Sequence, residues 1–206
     1  MFTINENANL VQLTDEMQAV AAEEGDAVHI MTAKASIVAD LGPGRPLGAT
    51  FTPDGSTLYI CDSSLGLTRL ANPFNPKSKV ELIASSVLDN GESTPIRLAD
   101  DVVVGPKTGK VYFTDATMVA PEKDRSFIYD VMYASKVELL TANPSGRLLQ
   151  YDPNTDEVTV LTRGLWFGNG VSIDPEESYL VYTETFSLRI AKYYLEGEKK
   201  GAIEYL

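Results

Sequence analysis

With only 1 cysteine, 1 histidine and 1 tryptophan in 206 residues, several classes of chemistry are closed to this chain. The lone cysteine, Cys61, excludes an internal disulfide and any Cys-x-x-Cys motif, and its place in an apolar, β-rich run reads as a buried, inert thiol. The lone histidine, His29, falls in a segment that reads as irregular, and no His-Glu-x-x-His pattern surrounds it. With no Gly-x-Ser-x-Gly elbow either, a Ser-His-Asp triad finds no support. Basic residues are few: 17 Lys and Arg stand against 29 Asp and Glu, a net charge of −12, with no basic run longer than Lys199-Lys200. Nucleic acids and anionic lipid surfaces both need a basic patch, so no nucleic-acid partner and no membrane contact are expected of this span. No apolar run approaches the ~18 residues of a membrane-crossing helix. No signal-peptide pattern opens the chain, and Asn143-Pro-Ser is blocked as a glycosylation acceptor by its proline.

What the chain does have is a repeat. When Pro53, Pro106 and Pro175 are aligned, an acid follows each by nine residues: Asp62, Asp115 and Glu184. Two and four residues before each proline sit Phe51, Val104 and Ile173, and Ala49, Val102 and Val171. Alternation, a Pro/Asp/Gly turn and a second β-rich run make a hairpin. A third strand follows each hairpin (67–70, 147–151, 189–194), and then a fourth (79–83, 157–161, 202–206). Four strands per unit is one blade, and the spacing, once an insertion at 116–143 is set aside, lies near the ~40–50 residues expected of a β-propeller.

The chain is therefore read as all-β, an incomplete propeller of about three and a half blades. Residues 1–40 form an incomplete first blade and its connection, with strands over 9–13 and 18–22. The second blade spans 45–85, the third 97–163 and the fourth 165–206. Because the first blade lacks its innermost strand, the chain is expected to be a fragment, and the absent signal peptide then excludes no compartment.

Within this frame the position six residues before each aligned proline opens the innermost strand, near the channel mouth. It holds Leu47, Asp100 and Asn169. Two oxygen-bearing side chains at equivalent points of adjacent blades suit a hard cation such as calcium. The competing reading is local: Asp100 and Asp101 cap a turn, and Asn169 before Gly170 is a turn residue. The repeated acids Asp62, Asp115 and Glu184 read as structural, closing the end of the second strand by hydrogen bonding. In the insertion, helical spacing over 125–140 puts Ile128, Val131, Met132, Ser135 and Leu139 on one face. This helix is either a flap packed on the rim or a lid bounding a substrate pocket with Phe127, Tyr129 and Tyr133.

Five motifs in order also carry a family likeness. Gly44-Arg-Pro-Leu-Gly48, Val111-Tyr-Phe-Thr-Asp115, the run from Ser145 to Thr155, Leu165-Trp-Phe-Gly-Asn-Gly-Val171 and the run from Arg189 to Gly201 resemble the strictosidine synthase-like family. That family includes the adipocyte plasma membrane-associated protein and is similar to the paraoxonase and gluconolactonase propellers. The resemblance implies a six-bladed ring, a small-molecule substrate and an endomembrane, secretory or vacuolar setting. It further implies, for the full-length protein, calcium with Asp100 and Asn169 among its ligands, other acids coming from the first and fifth blades. Hydrolytic relatives tend to read Pro-Asn-Gly-Val where this chain has Gly168-Asn-Gly-Val, and Ala-Asn-Asp where it has Ala99-Asp-Asp. The expected activity is calcium-assisted ester or lactone hydrolysis of the arylesterase kind. The alternatives are a Pictet–Spengler condensation of an amine with an aldehyde, or a non-catalytic binding propeller or inactive truncated product. The condensing enzymes' glutamate falls in a last blade outside this chain, and a paraoxonase-type histidine dyad cannot be assembled here, so no catalytic residue is expected within the span.

Overall fold

The computed structural model describes residues 2–4, 8–20, 28–123 and 129–206. A three-stranded sheet, β1 (Phe2–Ile4), β2 (Asn9–Val20) and β3 (Val28–Asp40), precedes the repeats. The first repeat is the sheet β4 (Pro46–Phe51), β5 (Thr57–Asp62), β6 (Gly66–Ala71) and β7 (Val80–Ala84), followed by the hairpin β8 (Ser86–Asp89) and β9 (Glu92–Pro95). In the second, β10 (Ala99–Val104) and β11 (Val111–Asp115) are separated from their sheet partners by an insertion. That insertion carries the small pair β12 (Glu122–Lys123) and β13 (Tyr129–Asp130) and the helix α1 (Val131–Thr141), before β14 (Gly146–Asp152) and β15 (Glu157–Leu165) complete the sheet. The third repeat is β16 (Gly168–Ile173), β17 (Tyr179–Glu184), β18 (Arg189–Tyr194) and β19 (Ile203–Tyr205). All three four-stranded sheets are antiparallel with strands in chain order, the arrangement of propeller blades. Among the described residues no helix is long and apolar enough to cross a membrane.

The N-terminal region departs from expectation. Asn9 to Val20 is one continuous strand rather than two short ones, and His29 lies in β3 opposite Ala19 rather than in irregular chain. The Asp15-Glu16 pair interrupts the apolar alternation and reads as a break. A ladder is built from backbone groups, however, and tolerates such a pair.

The first and second four-stranded sheets are each packed on both faces, which explains why their middle strands read as nearly unbroken apolar runs. From β5, Tyr59 and Cys61 face the second sheet, packing with Val102, Val104, Val111, Phe113, Leu149 and Tyr151. Leu58 and Ile60, on the opposite face, pack with Leu10, Leu41 and Leu70. Likewise Tyr112 and Leu148 leave the second sheet's other face to meet Val171, Leu180, Tyr182 and Ala191. Burial on both faces removes the polar half of the strand pattern.

A carboxylate clasps the outer turns of the second and third repeats. Glu177, 3% exposed and in a left-handed conformation (φ 60°), reaches the β10–β11 turn. It accepts from the Lys107 and Thr108 amides and, at 2.7 Å, from the Thr108 hydroxyl. Burial pushes its pKa up, but the Thr108 hydroxyl, these amides and the Lys107 charge outweigh that and hold it below the usual value. A depressed carboxyl stabilises the fold above its unfolded pKa, and that contribution is lost as pH falls through the folded value. Glu177→Gln is therefore expected to cost about 1 kcal/mol at neutral pH. In urea titrations the difference should narrow below about pH 4.5, the ordinary glutamate range. An unchanged midpoint at pH 7 would show the clasp to be idle.

Candidate functional site

The innermost strands β4, β10 and β16 share one irregularity. In β4, Pro46 faces Asp62 and Ala49 faces Ile60, so Leu47 and Gly48 together oppose Cys61 alone. The same two-against-one bulge sets Asp100 and Asp101 opposite Thr114, and Asn169 and Gly170 opposite Thr183. A bulge unpairs a residue and re-aims its side chain, which is why such irregularities gather at sites. Each of the candidate positions Leu47, Asp100 and Asn169 is the first residue of its bulge.

The bulges are stitched from blade to blade. Thr114 Oγ1 donates to the Asn169 carbonyl at 2.8 Å and accepts from the Asp101 amide at 3.2 Å. The Cys61 thiol, one blade earlier, donates to the Asp101 carbonyl at 3.4 Å. Asp101 Oδ2 accepts from the Val171 amide at 2.8 Å, so this carboxylate is engaged in joining β10 to β16. Asp101 thus links blades instead of merely capping a local turn. Cys61 is fully buried, and burial pushes its thiol well above the ordinary value, as do the neighbouring acids.

Asp100 differs from its neighbour. Its Oδ2 is buried without a hydrogen-bond partner. Burial, and then the Asp101 charge, push its pKa up to about 7. An orphaned buried carboxylate oxygen is costly unless something completes it. The Asn169 side chain is exposed in the equivalent position of the next blade, while its backbone carbonyl is held by Thr114. A carboxylate and an amide oxygen are the donors a hard cation takes, so these residues fit calcium as two of its roughly 6–8 ligands. Among the described residues no group of three or more His, Cys, Asp or Glu side chains could hold a metal.

The repeated acids are structural, as read from their spacing, but they serve different loops. Asp62 accepts from the Ser64 and Leu65 amides of its own turn. Asp115 instead accepts from the Arg97 and Leu98 amides that lead into β10, and Glu184 from the Trp166 amide that leads into β16. Arg147, 2% exposed, lies in bonding contact with Asp115 Oδ2 and also holds Thr94 Oγ1 and the Pro95 carbonyl.

The insertion is placed differently from its sequence pattern. Of the expected apolar face, Ile128 lies outside the described residues, as does the pocket candidate Phe127. Met132 and Leu139 are 60% and 52% exposed, so of that stripe's described members only Val131 and Ser135 turn toward the blades. The buried residues of α1 are Ala134, Ser135 and Glu138. Small side chains let the helix approach Leu98, Ala116 and Phe167 closely, with Leu47, Val119, Val131 and Phe186 packed around them. Tyr129 lies under the Lys123 ammonium, and its carbonyl receives Arg45. Tyr133 is 38% exposed beside Glu122, whose carboxylate pushes its phenol pKa up.

Glu138 lies outside the apolar stripe expected from the helical spacing. It is fully buried, accepting from the Ser145 hydroxyl at 2.9 Å and the Phe167 amide at 3.0 Å. Burial pushes its pKa up, while the Thr117 and Ser145 hydroxyls and the Phe167 amide pull against that. Its position four residues after Ala134 and three after Ser135 was the available signal, since those spacings share a helix face.

The sequence model of the family described as Strictosidine synthase matches residues 100–198, a span that holds both Asp100 and Asn169. Strictosidine synthase-like protein 13 of Arabidopsis thaliana is 34% identical over 161 residues, 78% of this chain and 36% of that protein. The adipocyte plasma membrane-associated protein of Gallus gallus is also 34% identical over 161 residues, 78% of this chain and 35% of its own length. The chain thus spans about a third of the length of these curated relatives. Among solved structures, a gluconolactonase from Xanthomonas campestris superposes with a TM-score of 0.55 at 14% identity, covering 83% of this chain and 50% of that one. That likeness gives the fold. In sequence this chain is similar to the strictosidine synthase-like proteins, and in architecture it is a set of consecutive β-propeller blades.

Proposed function

We propose that the full-length protein is a calcium-assisted hydrolase of esters or lactones, with Asp100 and Asn169 supplying two of the cation's oxygen ligands. The observation that carries this reading is the buried, unpartnered Oδ2 of Asp100, set in a bulge that β16 repeats with Asn169. When bound, calcium supplies Lewis-acid polarisation of a carbonyl and charge stabilisation for the oxyanion that develops from it. The chain's own contribution is placement. Asp101 and Thr114 join the two bulges, so Asp100 and Asn169 are presented from adjacent rigid strands. Two donors held before binding save the ordering cost that flexible ligands would meet.

A second reading has its own support: the match to the family described as Strictosidine synthase favours condensation of an amine with an aldehyde. The full-length protein separates the two. Purified wild type should carry bound calcium and cleave an aryl ester or simple lactone, and a chelator should abolish that turnover. Asp100→Ala and Asn169→Ala should each lower calcium affinity at least about tenfold. They should also remove the stabilisation that bound calcium confers, which grows as RT ln(1 + [L]/Kd). Unchanged calcium content in both variants overturns the ligand assignment. Amine–aldehyde condensation without ester or lactone cleavage would establish the second reading.

A further inference from the structure

Helix α1 and the Asn169 bulge are joined by one buried carboxylate. Glu138 enters from the insertion and reaches three loops at the same end of the blades. Through Ser145 Oγ it meets the segment before β14, and the Ser145 hydroxyl in turn accepts from the Met118 amide at 2.9 Å and lies 3.2 Å from Thr117 Oγ1. Through its other oxygen it holds the amide of Phe167, two residues before Asn169. Phe167 is a bulky residue in a left-handed conformation, φ 56°. Such a residue persists in that conformation only where its surroundings impose it. Those surroundings are Glu138 on the Phe167 amide, Glu184 on the Trp166 amide at 2.9 Å, and the ring packed against Ala134 and, at a 5.1 Å centroid distance, Phe186.

From this geometry we infer that Glu138 is a positioning residue: it fixes the turn at Phe167 and, through that turn, the placement of the Asn169 donor. The inference rests on the calcium reading for its functional consequence. Its structural core, the coupling of α1 to residues 165–171, stands apart from it. A helix lying outside the three blade sheets then sets the affinity of a site whose donors it does not contain. The chemistry of the contact distinguishes two substitutions. In Glu138→Gln the amide oxygen still accepts from Phe167 and the NH2 still reaches Ser145 Oγ, whereas Glu138→Leu keeps the bulk and removes both acceptors.

Calcium titration by calorimetry on the full-length protein, paired with amide deuterium exchange, tests the inference. Glu138→Leu should weaken calcium binding about tenfold or more, the size of effect that supporting residues exert on metal ligands. It should also raise exchange across 165–171, while Glu138→Gln stays within about threefold of wild type on both readouts. Glu177→Gln, which loosens the opposite end of the same blades, should lower the melting temperature and leave calcium affinity unchanged. That control separates positioning from general loss of stability. Wild-type calcium affinity in Glu138→Leu, or equal weakening in Glu177→Gln, overturns the inference. If the wild-type protein binds no calcium, the calcium reading fails by itself. The coupling is then judged by exchange alone: faster exchange over 165–171 in Glu138→Leu upholds it, and unchanged exchange refutes it.

Discussion

Arg147→Leu is expected to remove about 3–5 kcal/mol of unfolding free energy, because it strands a buried carboxylate. Asp115 is fully buried, and Arg147 lies in bonding contact with it while also holding Thr94 and Pro95 of the β8–β9 hairpin. Removing the guanidinium leaves a charge with no cation beside it at the buried end of β11. The response to pH follows from that. Burial already holds the Asp115 pKa above the ordinary value with Arg147 beside it. Without that partner it rises further, so the carboxylate destabilises the fold at neutral pH more than in wild type, and the added penalty is relieved as pH falls through the raised value. Urea unfolding should therefore show a gap between wild type and variant that narrows on acidification. Adding Asp115→Asn to the Leu variant should recover part of the loss at pH 7, because the amide oxygen still accepts from Arg97 and Leu98. A single-variant loss under about 1 kcal/mol, typical of an exposed pair, would show the network to be dispensable.

Gly48→Ala is expected to damage the fold and the candidate site together. A Cβ on Gly48 would lie 2.4 Å from Asp101 Oδ1 and 2.7 Å from both the Asp100 carbonyl oxygen and the Asp101 Cα. Two of those three atoms belong to the backbone or to Cα and cannot rotate away, so the β10 bulge itself must shift. Overpacking of this kind costs about 3 kcal/mol. The shift would also strain the bond from Asp101 to the Val171 amide, which joins β10 to β16. Calcium affinity should fall more than about tenfold for the same reason. Gly170→Ala provides the comparison: its nearest neighbour would be Thr183 Oγ1 at 3.6 Å, an ordinary contact, and the variant should fold normally. A Gly48→Ala protein with wild-type melting and calcium binding would show that the blades are more loosely fitted than these distances imply.

The blades were legible because their marks are local. A proline at the hairpin turn, an acid nine residues on and apolar alternation before it recur with little change, and the four-stranded sheets fall where those marks put them. Asp62, Asp115 and Glu184 were legible as structural for the same reason. The bulges were not. One extra residue at Asp100-Asp101 looks in sequence like a lapse in alternation, and only the pairing of Ala99 with Asp115 and Val102 with Phe113 exposes it. Glu138 was hidden by a sound rule applied where it does not hold. Polar residues on a helix usually face water, but α1 docks with Ala134 and Ser135 on a buried polar network, leaving Met132 and Leu139 outside. Asp101 was open to reading only as a turn cap, because its partner, the Val171 amide, is 70 residues away.

The bulge common to β4, β10 and β16 separates the mounting from what is mounted. Three blades build the same fitting from backbone geometry, and each fills its first position independently: an aliphatic group at Leu47, an acid at Asp100, an amide at Asn169. The number of oxygen-bearing side chains at these positions is then a matter of which residues occupy the fittings, with no change in strand pairing required. On the proposed calcium reading, one substitution per blade is enough to add, remove or exchange a ligand while the frame stays unaltered.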